Sequence, residues 1–300
     1  MDIVATGLSF TEAPRWHAGR LFFSDFYTHR VLALDAQGQL ETIVEVPNQP
    51  SGLGWLPDGR MLIVSMLDRK LLRLEPDGQL VEHADLSQLA SYHCNDMVVD
   101  ATGRAYVGNF GSDIESGGVP VAANLIKVEP DGSVSVAAAD MVFANGSVIT
   151  PDGQMLIVGE TFAARLTAFD IDAKGDLLNR REWANIAPHA PDGICLDAQG
   201  AIWVADPVGQ CVVRVQAGGE ILQKIDTGRS AFACMLGGPD LKTLFICTAD
   251  GSGADAKTSR TARIEAVAVS VAGAGRPEPC APSRAPLARR ARLVTSSTAD

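Results

Sequence analysis

The feature that most constrains the fold of this chain is an internal repeat that spans most of its 300 residues. Each of six segments opens with a turn, continues as a short apolar run rich in Val, Ile, Leu and Phe, and usually ends in an alternating strand such as LLRLEPDG. The turn glycines of the first five segments lie 40, 44, 50 and 47 residues apart, and they are Gly19, Gly59, Gly103, Gly153 and Gly200. Glycines between short runs indicate hairpins, and β-branched apolar runs indicate buried strands.

Six matching units of roughly four strands each are typical of a β-propeller. We therefore predict an all-β fold, a six-bladed β-propeller, over residues 1–274. A β-sandwich with irregular hairpins is the alternative, although a sandwich does not require six similar units. The first apolar segment, Ile3 to Ala5, is predicted to pair beside the last clear strand, Ala262 to Val271, which removes exposed sheet edges where the ring closes.

Residues 275–300 differ in composition from the rest of the chain. From Arg276 onward they hold four prolines and five arginines against two acidic residues, and they show no apolar period. Such a segment contributes poorly to a core, so we predict a disordered tail. An arm that binds RNA or another partner is the alternative.

The composition indicates which binding partners and which cellular compartment to expect. Hydrophobic residues at 46% and charged residues at 20% exclude disorder for most of the chain. The net charge of −11 repels phosphate, so neither nucleic acid nor a membrane is expected as a partner. No apolar run is long enough for a spanning helix, and no secretory signal is visible. The six cysteines are scattered without a CxxC pair, which predicts reduced, mostly buried thiols in a cytoplasmic protein.

The repeat also places polar side chains at one equivalent position. In a propeller the innermost strand of each blade lines the central channel, and here that strand precedes the turn glycine. Counting back seven residues in the first segment and eight in the next four reaches Glu12, Ser51, Asn95, Asn145 and Asp192. Equivalent positions of a radial repeat converge near its axis. Two carboxylates and two amide carbonyls suit one divalent cation in the central channel, Ca²⁺, Mg²⁺, Mn²⁺ or Zn²⁺.

The alternative for these residues is local turn chemistry. Asn145-Gly146 and Asp192-Gly193 are dipeptides that ordinary turns use. Each polar residue abuts an apolar strand, however, and a buried carboxylate is costly unless it is paired or bound to a metal. Recurrence at one register of the repeat therefore favours the metal site.

Several motifs together resemble one protein family. They are the run TEAPRW, the triplet CND before VVDATGRAYVGN, the triplet ANG before ITPDG, and the run APDGICLDAQGAIWVAD. Over about residues 7–274 the chain is similar to the senescence marker protein (regucalcin)/gluconolactonase-like family of six-bladed propellers. The resemblance implies one divalent cation near the axis and, in many members, hydrolysis of sugar lactones.

The resemblance also implies a role for each matching residue. The family binds its metal through the glutamate of an E-x-P motif, the asparagine of an N-G motif and the aspartate of a P-D-G motif, which match Glu12, Asn145 and Asp192. The asparagine of its N-D motif lies by the metal and helps to hold substrate. That asparagine and the aspartate after it match Asn95 and Asp96.

One position departs from the family pattern. Animal lactonases of the family carry an arginine two residues before the N-D asparagine, where it contacts sugar hydroxyls, and here that residue is His93. The departure leaves sugar-lactone specificity open, and the residues do not decide whether His93 contacts substrate or only packs. Asn109, in the run VGNFG, is a further candidate for the substrate pocket.

A lactone is a cyclic ester, so its hydrolysis transfers an acyl group to water. A divalent cation polarises the carbonyl and lowers the pKa of bound water. Asp192 is the predicted general base as well as a metal ligand, whereas Glu12 is a ligand only. We therefore predict a metal-dependent lactonase that acts on a small-molecule lactone, a sugar lactone first. The alternatives are a metal-dependent esterase or organophosphate hydrolase, and a non-catalytic propeller that binds calcium or sugar.

Overall fold

Six four-stranded sheets account for the strands of the chain in a computed structural model, which describes residues 1–114, 116–253 and 255–275. The predicted tail beyond residue 275, and Cys280 with it, lie outside the described residues. In chain order the strands are β1 (Asp2–Leu8), β2 (Thr11–His17), β3 (Arg20–Asp25), β4 (Arg30–Leu34), β5 (Leu40–Glu45), β6 (Pro50–Trp55), β7 (Met61–Ser65), β8 (Lys70–Leu74), β9 (Leu80–Asp85), β10 (Cys94–Val99), β11 (Ala105–Asn109), β12 (Ala123–Val128), β13 (Val134–Met141), β14 (Ala144–Ile149), β15 (Met155–Glu160), β16 (Arg165–Ile171), β17 (Leu177–Asn185), β18 (Ile194–Leu196), β19 (Ile202–Asp206), β20 (Cys211–Val215), β21 (Ile221–Asp226), β22 (Ser230–Gly237), β23 (Thr243–Ala249) and β24 (Ala262–Ala268).

Each sheet is one blade of antiparallel neighbours. From the innermost strand outward, blades one to five are β2 to β5, β6 to β9, β10 to β13, β14 to β17 and β18 to β21, and blade six is β22, β23, β24 and β1. The innermost strands contact one another in the order β2, β6, β10, β14, β18, β22 and back to β2. The predicted six-bladed propeller is therefore confirmed for the described residues.

Blade six closes the ring with strands from both ends of the described chain. Strand β1 pairs antiparallel with β24, so that Asp2 lies opposite Ala266 and Leu8 opposite Ala262. The closing strand is the one that the apolar segment from Ile3 to Ala5 predicted. Pairing the two ends covers the outer edge of β24 and completes a four-stranded blade, in which β1 is the outermost strand.

The turn glycines have the conformation that their role requires. Between the innermost strand and the next strand, they adopt φ values from 71° to 93°, in the left-handed region that glycine enters without a Cβ penalty, and they are Gly19, Gly59, Gly103, Gly153 and Gly200. These turns lie at the opposite end of the innermost strands from the predicted ligands.

The core lies between the blades rather than at the axis. Five clusters of buried apolar residues each join two consecutive blades. The sixth cluster joins blades six and one and also includes Met66, Phe110 and Phe143 from blades two, three and four. The five cysteines within the described residues are buried free thiols, as predicted. Among the same residues the α-helix α1 (Ala256–Ser259) has four residues, and no helix could cross a bilayer.

Candidate metal centre and active site

The predicted ligands occupy one register of the innermost strands, which we call the axial position. In five blades the residue before this position pairs with the last residue of the second strand, as Thr11–Asp25, Pro50–Ser65, Cys94–Asn109, Ala144–Glu160 and Ser230–Ala249. In blade five the Asp192 N–H donates to the Ala205 carbonyl at 2.9 Å, one residue before the end of β19. The axial residues, blade by blade, are Glu12, Ser51, Asn95, Asn145, Asp192 and Ala231.

An interruption of the strand pairing recurs at the axial position. The register of the innermost strand shifts immediately after it in blades one, two, three, four and six. In blade five the strand β18 begins only at Ile194, two residues after Asp192. A bulge bends the strand and re-aims the side chain that it carries. The repeat therefore uses one backbone device to place a polar group at the axial position in five of the six blades.

The glycine that follows several axial residues allows neighbouring blades to approach closely. A Cβ on Gly146 would lie 2.5 Å from the Ile194 backbone nitrogen and 2.7 Å from the Asp192 backbone carbonyl oxygen. A Cβ on Gly193 would lie 2.4 Å from the Ala233 Cβ. Neither glycine has a positive φ. Asn145-Gly146 lies within β14, and the Gly193 N–H donates to the Phe232 carbonyl of blade six at 2.8 Å, so close packing between blades accounts for both glycines.

Hydrogen bonds and charges connect the axial side chains across blades. Asn145 donates a side-chain hydrogen bond to Asp192. Asn95 donates through Nδ2 to the Ala144 carbonyl at 3.4 Å, directly before Asn145. The negative charge of Asp192 also acts on Glu12, so the two carboxylates are close enough to repel each other. The predicted ligands Glu12, Asn145 and Asp192, together with Asn95, are thus brought together.

The two axial carboxylates are held in an unfavourable electrostatic environment. Burial raises the pKa of Glu12 well above its usual range, and the charges of Asp192 and Asp96 raise it further. Burial likewise raises the pKa of Asp192, against the opposing hydrogen bond from Asn145. Both residues are only 8% exposed. Buried like charges of this kind are relieved by a proton or by a cation, and they are common at functional sites.

The donor set fits a hard divalent cation. Glu12 receives one protein hydrogen bond in the described structure, from the Ala13 N–H at 3.2 Å, which leaves carboxylate oxygen capacity toward the axis. Asn145 directs Nδ2 toward both Thr161 and Asp192, so its Oδ1 is left as an acceptor. Two carboxylates and amide oxygens are the ligands that Ca²⁺, Mg²⁺ and Mn²⁺ prefer, and Zn²⁺ also binds carboxylates.

Two residues that sequence reasoning missed hold this arrangement in place. The Thr161 hydroxyl donates to the Pro191 carbonyl at 2.7 Å and lies 3.2 Å from Asn145 Nδ2, so it ties blade four to the segment that carries Asp192. Arg15 of blade one reaches blade three, where its Nη2 donates to Asp96 Oδ1 at 2.5 Å and to the Met97 carbonyl at 2.7 Å. Their partners lie far away in sequence, so neither contact was predictable locally, although Arg15 falls within the run TEAPRW.

The Asp96 carboxylate is paired with Arg15. Its Oδ1 also accepts the Met97 N–H at 2.8 Å, so the carboxylate is paired within the channel wall. Beyond Arg15 the channel contains an apolar cavity of about 100 Å³, lined among others by Val98, Ile149 and Leu236. The ion pair therefore separates the polar axial layer from an apolar lower channel. A substrate contact for Asp96 stays a prediction.

Asn109 belongs to a second register of buried polar residues, which we call the strand-end position. It is the last residue of the second strand, and its equivalents are Asp25, Ser65, Glu160, Asp206 and Ala249. The Asn109 Nδ2 donates to the Asn124 carbonyl at 2.8 Å, and its Oδ1 accepts the Gly111 N–H at 3.1 Å. The Ser91 hydroxyl donates to the same Oδ1 at 3.3 Å. The amide is thus engaged within blade three, and a substrate contact for Asn109 stays a prediction.

In blade five the strand-end position carries a second group of possible metal donors. His189, Asp206 and Cys211 each bring one donor atom within 4.8 Å of the others. Asp206 Oδ2 already lies 2.6 Å from His189 Nδ1, and its Oδ1 accepts the N–H groups of Val208 and Gly209. Burial also raises the pKa of the Cys211 thiol. Hydrogen bonds within the blade therefore account for this cluster.

Aromatic and polar side chains lie together on the side of the site away from Arg15. We call the residue two before the axial position the rim position, and its members are Phe10, Gln49, His93, Phe143, Ala190 and Arg229. The rings of Phe10 and Phe232 lie 4.7 Å apart, as do those of Phe110 and Phe143. His93 is half-buried, stacked on Tyr92 at 4.0 Å, and burial lowers its pKa. Part of the mouth of the channel is therefore aromatic.

Comparison with known proteins finds a family model and relatives that match most of this chain. The model of the family described as SMP-30/Gluconolactonase/LRE-like region matches residues 10–250. Pentonolactonase XacC of Haloferax volcanii is 28% identical over 84% of this chain and 85% of its own length. The 6-deoxy-6-sulfogluconolactonase of Pseudomonas putida is 26% identical over 78% of this chain and 81% of its own.

Among solved structures, the calcium-binding protein regucalcin of Agrobacterium tumefaciens strain C58 is similar with a TM-score of 0.76. The two chains share 22% identity, and the match covers 90% of this chain and 94% of the other. At that identity the likeness shows the shared propeller fold, which agrees with the blade topology described above.

Proposed function

Since this chain belongs to the SMP-30/Gluconolactonase/LRE-like family, we propose that it is a lactonase that depends on one divalent cation. The observation that carries the proposal is the convergence of Glu12, Asn145 and Asp192 from three different blades, with both carboxylates buried and mutually repelling. The names of two relatives, a pentonolactonase and a sulfogluconolactonase, support a small sugar lactone as the substrate class to test first.

The cation would be held by Glu12, Asn145 and Asp192. When bound, it supplies electrophilic stabilisation of the lactone carbonyl and makes water more acidic. Glu12 contributes only charge and a ligand oxygen, because its single protein hydrogen bond comes from Ala13. Asn145 contributes Oδ1, since its Nδ2 is directed to Thr161 and Asp192.

Asp192 moves the proton in the proposed reaction. Its carboxylate accepts a proton from the attacking water as the water oxygen bonds to the carbonyl carbon. The bond from that carbon to the ring oxygen then breaks, and the proton passes to the ring oxygen, so that the product is an open hydroxy acid. Asn95 lies beside Asn145 and orients the substrate with its amide oxygen, because its Nδ2 is directed to the Ala144 carbonyl.

The apolar mouth excludes water from the reacting atoms. Phe10, Phe110, Phe143 and Phe232 are buried and belong to one continuous cluster above the axial position. A low-dielectric surrounding strengthens every electrostatic contact to the developing charge. His93 lies within this rim, and we propose that its imidazole contacts substrate in place of the family's arginine.

The test is a pH-indicator assay on glucono-1,5-lactone, pentono-1,4-lactones and simple γ- and δ-lactones. The protein is first treated with chelator, and Ca²⁺, Mg²⁺, Mn²⁺ or Zn²⁺ is then restored singly. We expect turnover to disappear with chelator and to return with at least one ion. Turnover that persists after complete metal removal contradicts the metal dependence.

Two other outcomes identify the alternatives. Metal-dependent cleavage of aryl esters or phosphotriesters without cleavage of lactones indicates another hydrolase on the same residues. A metal-dependent rise in melting temperature without turnover of any ester indicates a non-catalytic propeller that binds the cation. The variant Glu182→Gln, on the exposed outer strand β17, serves as the control and is expected to behave as the wild type.

A further inference from the structure

Blade four carries a hydroxyl where four of the other five blades carry an apolar side chain. The residue directly after the strand-end position of blade four is Thr161, which begins a short 3-10 turn, Thr161–Ala163. Its equivalents in blades one, two, three and five are Phe26, Met66, Phe110 and Pro207. The repeat itself therefore does not require a threonine at this place, so the hydroxyl calls for a reason specific to blade four.

Backbone contacts hold Thr161 beside the strand that carries Asn145. The Thr161 N–H donates to the Phe143 carbonyl at 3.2 Å, two residues before Asn145. The preceding residue, Glu160, lies opposite Ala144 in the pairing of β14 with β15. Because the backbone is anchored on both sides and a β-branched side chain has few rotamers, the hydroxyl has little freedom to move away from Asn145.

The Thr161 hydroxyl has one proton, and a backbone carbonyl accepts it. Its Oγ1 lies 2.7 Å from the carbonyl oxygen of Pro191, which can only accept a hydrogen bond. The hydroxyl is therefore the donor in that contact, and its lone pairs are left for its second neighbour. That neighbour is the Asn145 side-chain amide, at 3.2 Å. A hydroxyl whose proton is already donated can only accept, so the end of the amide that faces it has to be the Nδ2 group.

This chain of hydrogen bonds gives the Asn145 amide a direction. The two ends of an amide have nearly the same shape, so its hydrogen-bond partners decide which end faces which side. Asp192 alone is a weaker guide, because a carboxyl group accepts when it is ionised and donates when it is protonated. The Pro191 carbonyl has no such choice. Thr161 therefore holds Nδ2 on the protein side and leaves Oδ1 as the end that is available to a hard cation.

We infer that Thr161 is a positioning residue for the cation: its hydroxyl fixes the orientation of the Asn145 amide and, through Pro191, the segment that carries Asp192. The inference rests on the proposed metal-dependent function and adds a residue that acts on two of the three ligands at once. Groups that hydrogen-bond a metal ligand typically contribute about ten- to a hundredfold to metal affinity.

The experiment measures the Kd of Ca²⁺, Mg²⁺, Mn²⁺ and Zn²⁺ by isothermal titration calorimetry on the chelator-treated full-length protein, and it follows the ion that binds most tightly. Thr161→Val retains the shape of the side chain and removes the hydroxyl, so the Kd should rise by about tenfold or more. Thr161→Ser restores the hydroxyl and should bring the Kd back to within about threefold of the wild type. Thr161→Ala takes the place of the valine variant if that variant does not fold.

Thr150 supplies a matched control in the same blade. It is also partly buried, and its hydroxyl also donates and accepts, to Asp152 Oδ1 at 2.5 Å and from the Met155 N–H at 3.1 Å. It follows the last residue of β14, at the turn end, whereas Asn145 lies near the start of that strand. Thr150→Val should therefore lower the free energy of unfolding in urea without changing the Kd. A Kd that rises equally in both valine variants would reflect a general loss of stability and would overturn the inference.

A double-mutant cycle separates orientation of the amide from simple attachment to Pro191. In Asn145→Asp both ends of the side chain are carboxylate oxygens, so no amide direction is left to fix. Adding Thr161→Val to this variant should change the Kd by less than about threefold. A loss of about tenfold in that background as well would mean that the hydroxyl acts only as a tether, and the orientation role would be refuted.

Failure of the inference and failure of the proposed function give different results. If the wild type binds a cation and Thr161→Val binds it with the same Kd, the positioning role is refuted and the proposed function stands. If the wild type binds none of the four cations, the proposed metal dependence fails and the inference fails with it.

Discussion

Two registers of buried polar residues run around this propeller, and they differ in where their hydrogen bonds go. At the axial position Glu12 and Asp192 come from different blades, repel each other and receive few protein donors. At the strand-end position the Asp25 carboxylate accepts the N–H groups of Ser9 and Phe10, at 2.9 and 3.1 Å. Both registers are buried, so it is the unused bonding capacity that distinguishes the axial register, for which we propose a function.

The strand-end register has a structural purpose that recurs between blades. Four of its polar residues fix the segment that leads into the innermost strand of their own blade, and they are Asp25, Asn109, Glu160 and Asp206. Glu160 accepts the Val142 N–H at 2.7 Å, and Asp206 holds His189 at 2.6 Å. By fixing the lead-in segment, the strand-end register positions the axial residue that follows a few residues later. Changes in the two registers should therefore have opposite consequences for activity and stability.

The largest expected effect is on turnover in Asp192→Ala. This variant loses the proposed base and a metal ligand, so kcat/KM should fall by about a thousandfold or more. The metal-free protein should unfold at an equal or higher denaturant concentration, because Glu12 loses a like-charged neighbour. Steady-state kinetics and urea unfolding measure the two quantities. Retained activity would remove Asp192 from the mechanism.

The next largest effect is on stability in Asp25→Ala. The buried N–H groups of Ser9 and Phe10 and the Thr28 hydroxyl would lose their acceptor, which should lower the free energy of unfolding by about 3 kcal/mol or more. The kcat of the remaining folded protein should change little. Asp25→Asn retains the shape and one acceptor, so its loss should be smaller. An Asp25→Ala protein as stable as the wild type would contradict the distinction between the registers.

A smaller effect is expected on metal affinity in Glu12→Gln. Replacing a carboxylate by a neutral amide should raise the Kd of the cation by at least about tenfold, because ligand charge sets affinity at such sites. Isothermal titration calorimetry measures the Kd, with Glu182→Gln as the control for a remote carboxylate. An unchanged Kd would exclude Glu12 as a ligand.

The smallest effect concerns Asn109, for which the sequence and the structure suggest different roles. If Asn109 acts only within blade three, Asn109→Ala should cost about 1 to 2 kcal/mol of unfolding free energy and leave KM unchanged. If it contacts substrate, KM should rise instead. Parallel kinetics and thermal unfolding of the variant separate the two roles.

Much of the fold was predictable because similar local patterns of turns and apolar runs recur in six segments of the sequence. The turn glycines, the apolar runs and the closing strand β1 all follow from short-range patterns, and the structure confirms them. The axial register was predictable for the same reason, since counting back from each turn reaches an equivalent place on each innermost strand. The role of the glycines after Asn145 and Asp192 was not predictable, because the close approach that requires them involves a neighbouring blade.

The sequence by itself determined the number of blades, their order and the residues that face the axis, because periodicity specifies which side of a strand a residue occupies. Only the tertiary structure decided which buried polar groups have partners. Arg15 reaches Asp96 across 81 positions of sequence, and the Asn109 amide donates within its own blade. Two buried nitrogens of Arg229 have no partner among the described residues. Strand alternation determines the side of the strand toward which a side chain points. A hydrogen bond also requires a partner, and another part of the chain has to supply that partner.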